Sequence, residues 1–174
     1  SDIAFDATIN GGKTVITINP SSDFSSEQVI YVAIGTTVED DADNAINAAN
    51  VSFTAVDNSA PTMAITSSTV TDGDTSDDSA LSMTFTSSEA TTDFVVGDIT
   101  VTGGSLSSFA STSSTIYTAT FTPTDDGATT IDVASSKFTD ATGNNNVAAT
   151  QFNWTYESQL PSPLDKPDVT SSVE

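Results

Sequence analysis

Apolar and polar residues alternate along this chain with a period of two, in short runs separated by Gly, Asp, Asn and Pro. Leu81, Met83 and Phe85 alternate with Ser82, Thr84 and Thr86, the pattern of a strand with one face buried and one wet. Tyr117, Ala119 and Phe121 alternate in the same way up to Pro123. Ile99 and Val101 make a shorter run after a turn at Gly97-Asp98, and Ile131 and Val133 make another after Asp125-Asp126-Gly127. Phe152, Trp154 and Tyr156 share one face of a last strand, against Asn153, Thr155 and Glu157. A first strand is expected from Pro61 to Thr66, after the linker-like Asp57-Asn58-Ser59-Ala60. No window has a helical period, and Ser135-Ser136-Lys137-Phe138 suits a single short turn. Strands this short, at intervals of about 8–12 residues and divided by turn residues, predict an antiparallel β-sandwich.

The pattern also repeats. Asp140-Ala-Thr-Gly-Asn144, Ala148-Ala149 and Phe152 echo Asp40-Asp41-Ala-Asp-Asn44, Ala48-Ala49 and Phe53 at a separation of about 100 residues. Thr120-Phe121-Thr122-Pro123 likewise echoes Thr17-Ile18-Asn19-Pro20. A period of that length suits a whole small domain rather than a solenoid unit. The expected organisation is the C-terminal part of one repeat over 1–57 and a complete repeat over 58–157. Residues 158–174, punctuated by Pro161, Pro163 and Pro167, read as a linker or the start of a further repeat. In 1–57 strands are expected around Ile16 and Ile18, Ile30 to Ile34, and Val51 to Ala55. The counterpart of Pro61 to Phe85 is missing there, so the first sandwich is incomplete, with open edges and an open core. Its missing strands are expected upstream in a parent protein or from a neighbouring chain. The chain thus reads as a window onto a longer array.

Composition narrows the function. Three Lys face 24 acidic residues, with no His, for a net charge of −21. Nucleic acid is excluded as a partner, because phosphate binding needs a basic surface, and an anionic membrane would repel the chain. Membrane insertion is not expected, since no apolar run approaches spanning length. The acidity fits a salty exterior, or carboxylates neutralised by divalent cations. Ser and Thr make up about a third of the residues, and Thr suits exposed strand faces. Cys is absent, so no disulfide reports on the compartment. Without His, Cys or Arg there is no Ser-His-Asp triad, thiolate nucleophile or arginine clamp. A carboxylate pair is formally available for glycoside hydrolysis, but the Asp residues sit in turns, and a non-catalytic protein is expected.

A family resemblance completes the reading. Asp57-Asn58 with Ala60-Pro61-Thr62, Phe85 with Ser88-Glu89-Ala90, and Phe94 with Asp98-Ile99-Thr100-Val101-Thr102-Gly103-Gly104 occur in order. Tyr117-Thr118-Ala119-Thr120-Phe121-Thr122-Pro123, Phe138-Thr139-Asp140 and Gly143-Asn144 follow. Together they resemble the bacterial Ig-like repeats of large secreted and surface adhesins, and residues 1–57 resemble the later two-thirds of such a repeat, with Asp43 in place of Gly143. The resemblance implies tandem Ig-like antiparallel β-sandwiches, all-β, in a secreted or cell-surface protein. The segment would act as a spacer, extender or filament unit. Its partners would be neighbouring Ig-like domains of the same or adjacent chains. A second reading is a binding module for a glycan or a cell-surface ligand. A third is a subunit of head-to-tail filaments built by strand addition, with the tail 158–174 as the candidate strand.

Calcium is the candidate cofactor, since it takes six to eight oxygen ligands of the kind this chain carries in abundance. By the resemblance such ions stiffen the joints between domains. The matching positions are Asp57 and Glu157 at the ends of final strands, with Asp98, Asp140 and Asn144 as further candidates. The alternative is that Asp140-Ala-Thr-Gly-Asn144 is a tight turn, with Gly at positive φ and Asp and Asn capping the backbone. Asp72-Gly-Asp-Thr-Ser-Asp-Asp78 looks like a calcium loop, but an EF-hand needs Glu where Met83 stands and needs flanking helices, so a solvated acidic loop is expected. Trp154 with Phe152 and Tyr156 suits a core more than a sugar platform. Asn50-Val-Ser52 and Asn153-Trp-Thr155 fit the N-glycosylation acceptor pattern, which chance supplies readily in such a composition.

Overall fold

The computed structural model describes residues 3–12, 14–40 and 42–158. The expected linker or further repeat over 158–174 therefore lies, Ser158 apart, outside the described residues. The chain divides into two compact units, Ser1–Ser59 and Ala60–Glu174.

The second unit is a two-layer β-sandwich. One layer contains β5 (Met63–Ser67), β7 (Leu81–Ser87), β10 (Ile116–Pro123) and β9 (Gly104–Ser111), in the order β5-β7-β10-β9. The other contains β6 (Thr75–Ser76), β12 (Phe152–Tyr156), β11 (Gly127–Val133) and β8 (Ile99–Thr102), in the order β6-β12-β11-β8. All pairings are antiparallel except that of β12 with β6. The inner faces are the alternating residues of the sequence. Leu81, Met83 and Phe85 stand opposite Phe121, Ala119 and Tyr117. Across the layer gap lie Ile131, Val133, Phe152 and Trp154, all buried. Trp154 packs edge-on against Phe121, with ring centroids 6.1 Å apart, and its indole N–H donates to Ser76 Oγ at 3.1 Å. The aromatic stripe is therefore core, as expected.

Two strands escaped the periodicity. In β9 the register slips by one residue opposite Thr118 and Thr120, with Ser108 at φ 53. Such a bulge re-aims a side chain, and here Phe109 stacks on Tyr117 at 5.9 Å and meets Phe94 edge-on at 5.8 Å. β6 is two residues long and lies within the expected acidic loop of Asp72 to Asp78. That loop is a capped turn: Asp74 Oδ2 accepts from the Thr71 N–H at 2.9 Å, and Asp72 Oδ1 from the Asn153 N–H at 2.7 Å. Ser135-Ser136 forms the expected turn, and the only helical element among the described residues is the 3-10 turn Val96–Asp98.

The first unit holds two hairpins, β1 (Phe5–Ile9) with β2 (Ile16–Pro20) and β3 (Val29–Ile34) with β4 (Ala49–Thr54). β2, β3 and β4 are the expected strands. β1 was not expected, although Phe5, Ala7 and Ile9 do alternate. Apolar side chains of all four strands are substantially exposed, among them Phe5, Ile16, Ile18, Val51 and Phe53.

Candidate functional site

The candidate chemistry of the second unit gathers where three loops meet. Pro61 and Thr62 lie between two of them through the backbone: the Val147 N–H donates to Pro61 O at 3.0 Å, and the Ser88 N–H to Thr62 O at 2.9 Å. Ser88 Oγ accepts in return from the Thr62 N–H at 2.9 Å. The third loop is held by Asp93, whose carboxylate accepts from the Thr139 N–H at 3.0 Å and from Thr139 Oγ1 at 2.8 Å. It also accepts from Thr91 Oγ1 at 2.7 Å. Burial pushes the Asp93 carboxyl up, but the hydrogen bonds from Thr91 and Thr139 prevail and hold it below the usual carboxylate range.

Asp140 follows Thr139 directly and is buried. Its Oδ1 accepts from the N–H groups of Thr142 and Asn144, at 2.8 and 2.9 Å, and from Thr142 Oγ1 at 2.9 Å. Its Oδ2 accepts from Asn144 Nδ2 at 2.8 Å. Burial raises its carboxyl, yet the donors on Asn144 and Thr142 outweigh that and hold it far below the ordinary value. Gly143 takes φ 94 in this turn. The capped-turn reading of Asp140 to Asn144 is thus realised in full. The metal reading stands beside it on the neighbouring carboxylate of Glu89.

Glu89 and Asp140 each offer a carboxylate oxygen within 4.8 Å of the other. Glu89 belongs to the Ser88-Glu89-Ala90 motif, to which the sequence assigns no role. What places it beside Asp140 is the pair of Pro61 and Thr62 backbone bonds, a long-range contact that no spacing in the sequence announces.

Asp98 and Glu157 of the second unit make local contacts of their own. Asp98 Oδ2 accepts from the Val95 N–H at 2.9 Å and so closes the 3-10 turn locally. Glu157 is exposed beyond β12, and its N–H donates to Ser76 O at 3.0 Å. In the first unit, Asp57 Oδ1 accepts from Ser26 Oγ at 2.6 Å and from the Ser59 N–H at 3.0 Å.

The Asp140 turn has a twin in the first unit. Asp40 Oδ1 accepts from the N–H groups of Ala42 and Asn44, at 2.8 and 3.0 Å, and its Oδ2 from Asn44 Nδ2 at 3.0 Å. An isolated bridge joins Glu39 to Ala45, as another joins Thr139 to Asn145. Asp43 adopts φ 60 where Gly143 adopts φ 94, a left-handed conformation that Asp tolerates better than most residues.

Residues 57–156 match the family model described as bacterial Ig-like domain. No curated protein matches the chain. Glu89 and Asp140 both fall within the matched segment.

Proposed function

The chain belongs to the bacterial Ig-like domain family, and from that premise we propose that it is a non-catalytic spacer segment of a long, tandem Ig-like surface protein. Domains of this family are generally non-catalytic and typically occur in secreted and surface proteins of bacteria. The observation that carries the tandem reading is the twin turn: one set of hydrogen bonds built on Asp40 recurs on Asp140. In such an array each module buries its own core and contributes length, and the sandwich closed around Trp154 and Phe121 suits that duty. The net charge of −21 keeps neighbouring fibres apart and soluble in an extracellular setting.

Calcium would act at the joints. The neighbouring carboxylates of Glu89 and Asp140 support this, because hard carboxylate oxygens are what that ion takes. Small-angle scattering of the whole chain in calcium and in chelator tests it. A narrower distribution of dimensions in calcium is expected. Identical profiles would remove calcium from the proposal and leave the spacer reading on the family and the twin turn.

A further inference from the structure

We propose that the first unit is a strand acceptor: the open edge of β2 takes up an extended segment of the β7 type, an uncharged strand with apolar residues at alternate positions. The proposal rests on reading 1–59 as the later part of an Ig-like repeat, and it adds what covers that part and in which register.

The second unit supplies the template. Thr17-Ile18-Asn19-Pro20 corresponds to Thr120-Phe121-Thr122-Pro123, so β2 is the counterpart of β10. Both strands form a hairpin with the strand before them, β1 with β2 and β9 with β10. The other edge of β10 is filled by β7, whereas among the described residues β2 pairs with β1 alone. The second hairpin matches too. Phe53 pairs with Ile30, as its counterpart Phe152 pairs with Ile131.

The difference lies in cover. Phe121 is 0% exposed and its counterpart Ile18 is 39% exposed; Phe152 is 3% exposed and its counterpart Phe53 is 45%. These residues open onto one apolar groove of the first unit, lined by Phe5, Ile18, Phe24, Ile30, Val32 and Phe53. Monomeric proteins rarely leave a contiguous apolar face of this kind open to water, and an open strand edge is a template for pairing.

The occupant follows from what fills the same place in the second unit. There Leu81 stands opposite Phe121, and Met83 opposite Ala119. Transferred to the first unit, the incoming strand sets its Leu81-type residue opposite Ile18 and its Met83-type residue opposite Ile16. Leu81–Ser87 carries no charge, which matters on a chain of net charge −21, since an acidic strand would be repelled. Main-chain hydrogen bonds to β2 give affinity, and the alternating side chains give register.

The test uses the whole chain and a labelled synthetic peptide with the sequence of residues 79–88. Expected are saturable binding, increased hydrogen-exchange protection of β2 amides, and a loss of affinity of about tenfold or more in Ile18→Asp, which puts a charge in the seam. If Ile18→Asp disrupts the first unit by itself, the peptide variant Met83→Asp against the unaltered chain must show the same loss. Absence of saturable binding and of β2 protection at millimolar peptide would overturn strand addition, while the calcium scattering result would be untouched. Self-association of the chain that the peptide does not compete with would also overturn it, by making the face a contact between copies.

Discussion

Asp140 accepts from both the backbone N–H and the side-chain amide of Asn144, at 2.9 and 2.8 Å, and this clasp closes the loop that carries the candidate site. Burial pushes the Asp140 carboxyl up, and the Asn144 and Thr142 donors more than reverse it. A carboxyl held below its unfolded value stabilises the fold fully above the ordinary carboxylate pKa, about 3.9. That contribution is lost as pH falls toward the depressed folded value. The unit should therefore lose stability progressively below about pH 4, as followed by the fluorescence of Trp154, the chain's single Trp. Asp140→Asn should be less stable at neutral pH and flatter on the acid limb. An unchanged acid slope in the variant would show that the clasp does not set the acid response.

Asp93 reaches Thr139 across the loops and fixes where Asp140 begins. Asp93→Ala removes a charged acceptor from three donors, the Thr139 N–H, Thr139 Oγ1 and Thr91 Oγ1. Hydrogen bonds to charged groups contribute more than neutral ones, but Asp93 is exposed, and solvent screening reduces the expected loss to about 1 kcal/mol. Urea unfolding measures it. Asp93→Asn should recover part of the loss, since its amide oxygen still accepts.

Asn146 holds four backbone groups at once. Its Oδ1 accepts from the N–H groups of Lys137 and Phe138, at 2.7 and 3.1 Å, and its Nδ2 donates to Ala134 O and Val147 O, at 2.9 and 2.8 Å. The residue is 2% exposed, so Asn146→Ala strands polar groups away from water. A loss of about 3 kcal/mol is expected in equilibrium unfolding. Asn146→Asp should do no better, because a carboxylate cannot donate to the two carbonyls.

The residues in these three experiments differ in how far the sequence announces them. The core of β7, β10 and β12 is plain in the alternation, because burial on one face of a strand imposes a period of two. The Asp140 turn is plain because its Gly and Asn serve local backbone geometry. Asn146 is hidden, since Ile46 occupies the corresponding place in the first unit and cannot make those bonds. Phe109 is hidden by the bulge that breaks the alternation of β9. Asp93 and Glu89 are hidden because their partners are loops distant in sequence, and motif alone points to Asp98 and Glu157, whereas the fold uses the first for a local turn and leaves the second exposed.

Gly103-Gly104 reads in the sequence as a turn that needs flexibility, but the two glycines answer to different constraints. Gly103 adopts φ 71, so conformation favours glycine there. Gly104 lies in β9 facing β10, and a Cβ on it would sit 2.4 Å from Thr122 O and 2.5 Å from Phe121 Cζ. Neither neighbour gives way easily, because the carbonyl belongs to the backbone of β10 and the Phe121 ring is wholly buried beside Trp154. Gly104→Ala should cost about 2 kcal/mol through overpacking, a drop in melting temperature of roughly 10 °C for a unit of this size. Gly97→Ala is the matched control, since nothing lies within 4 Å of a Cβ there, and it should melt within a degree or so of the unaltered chain. Equal melting of the two variants would mean that β9 can move away from β10 without loss, and the close approach at Gly104 would then have no part in holding the sheet together.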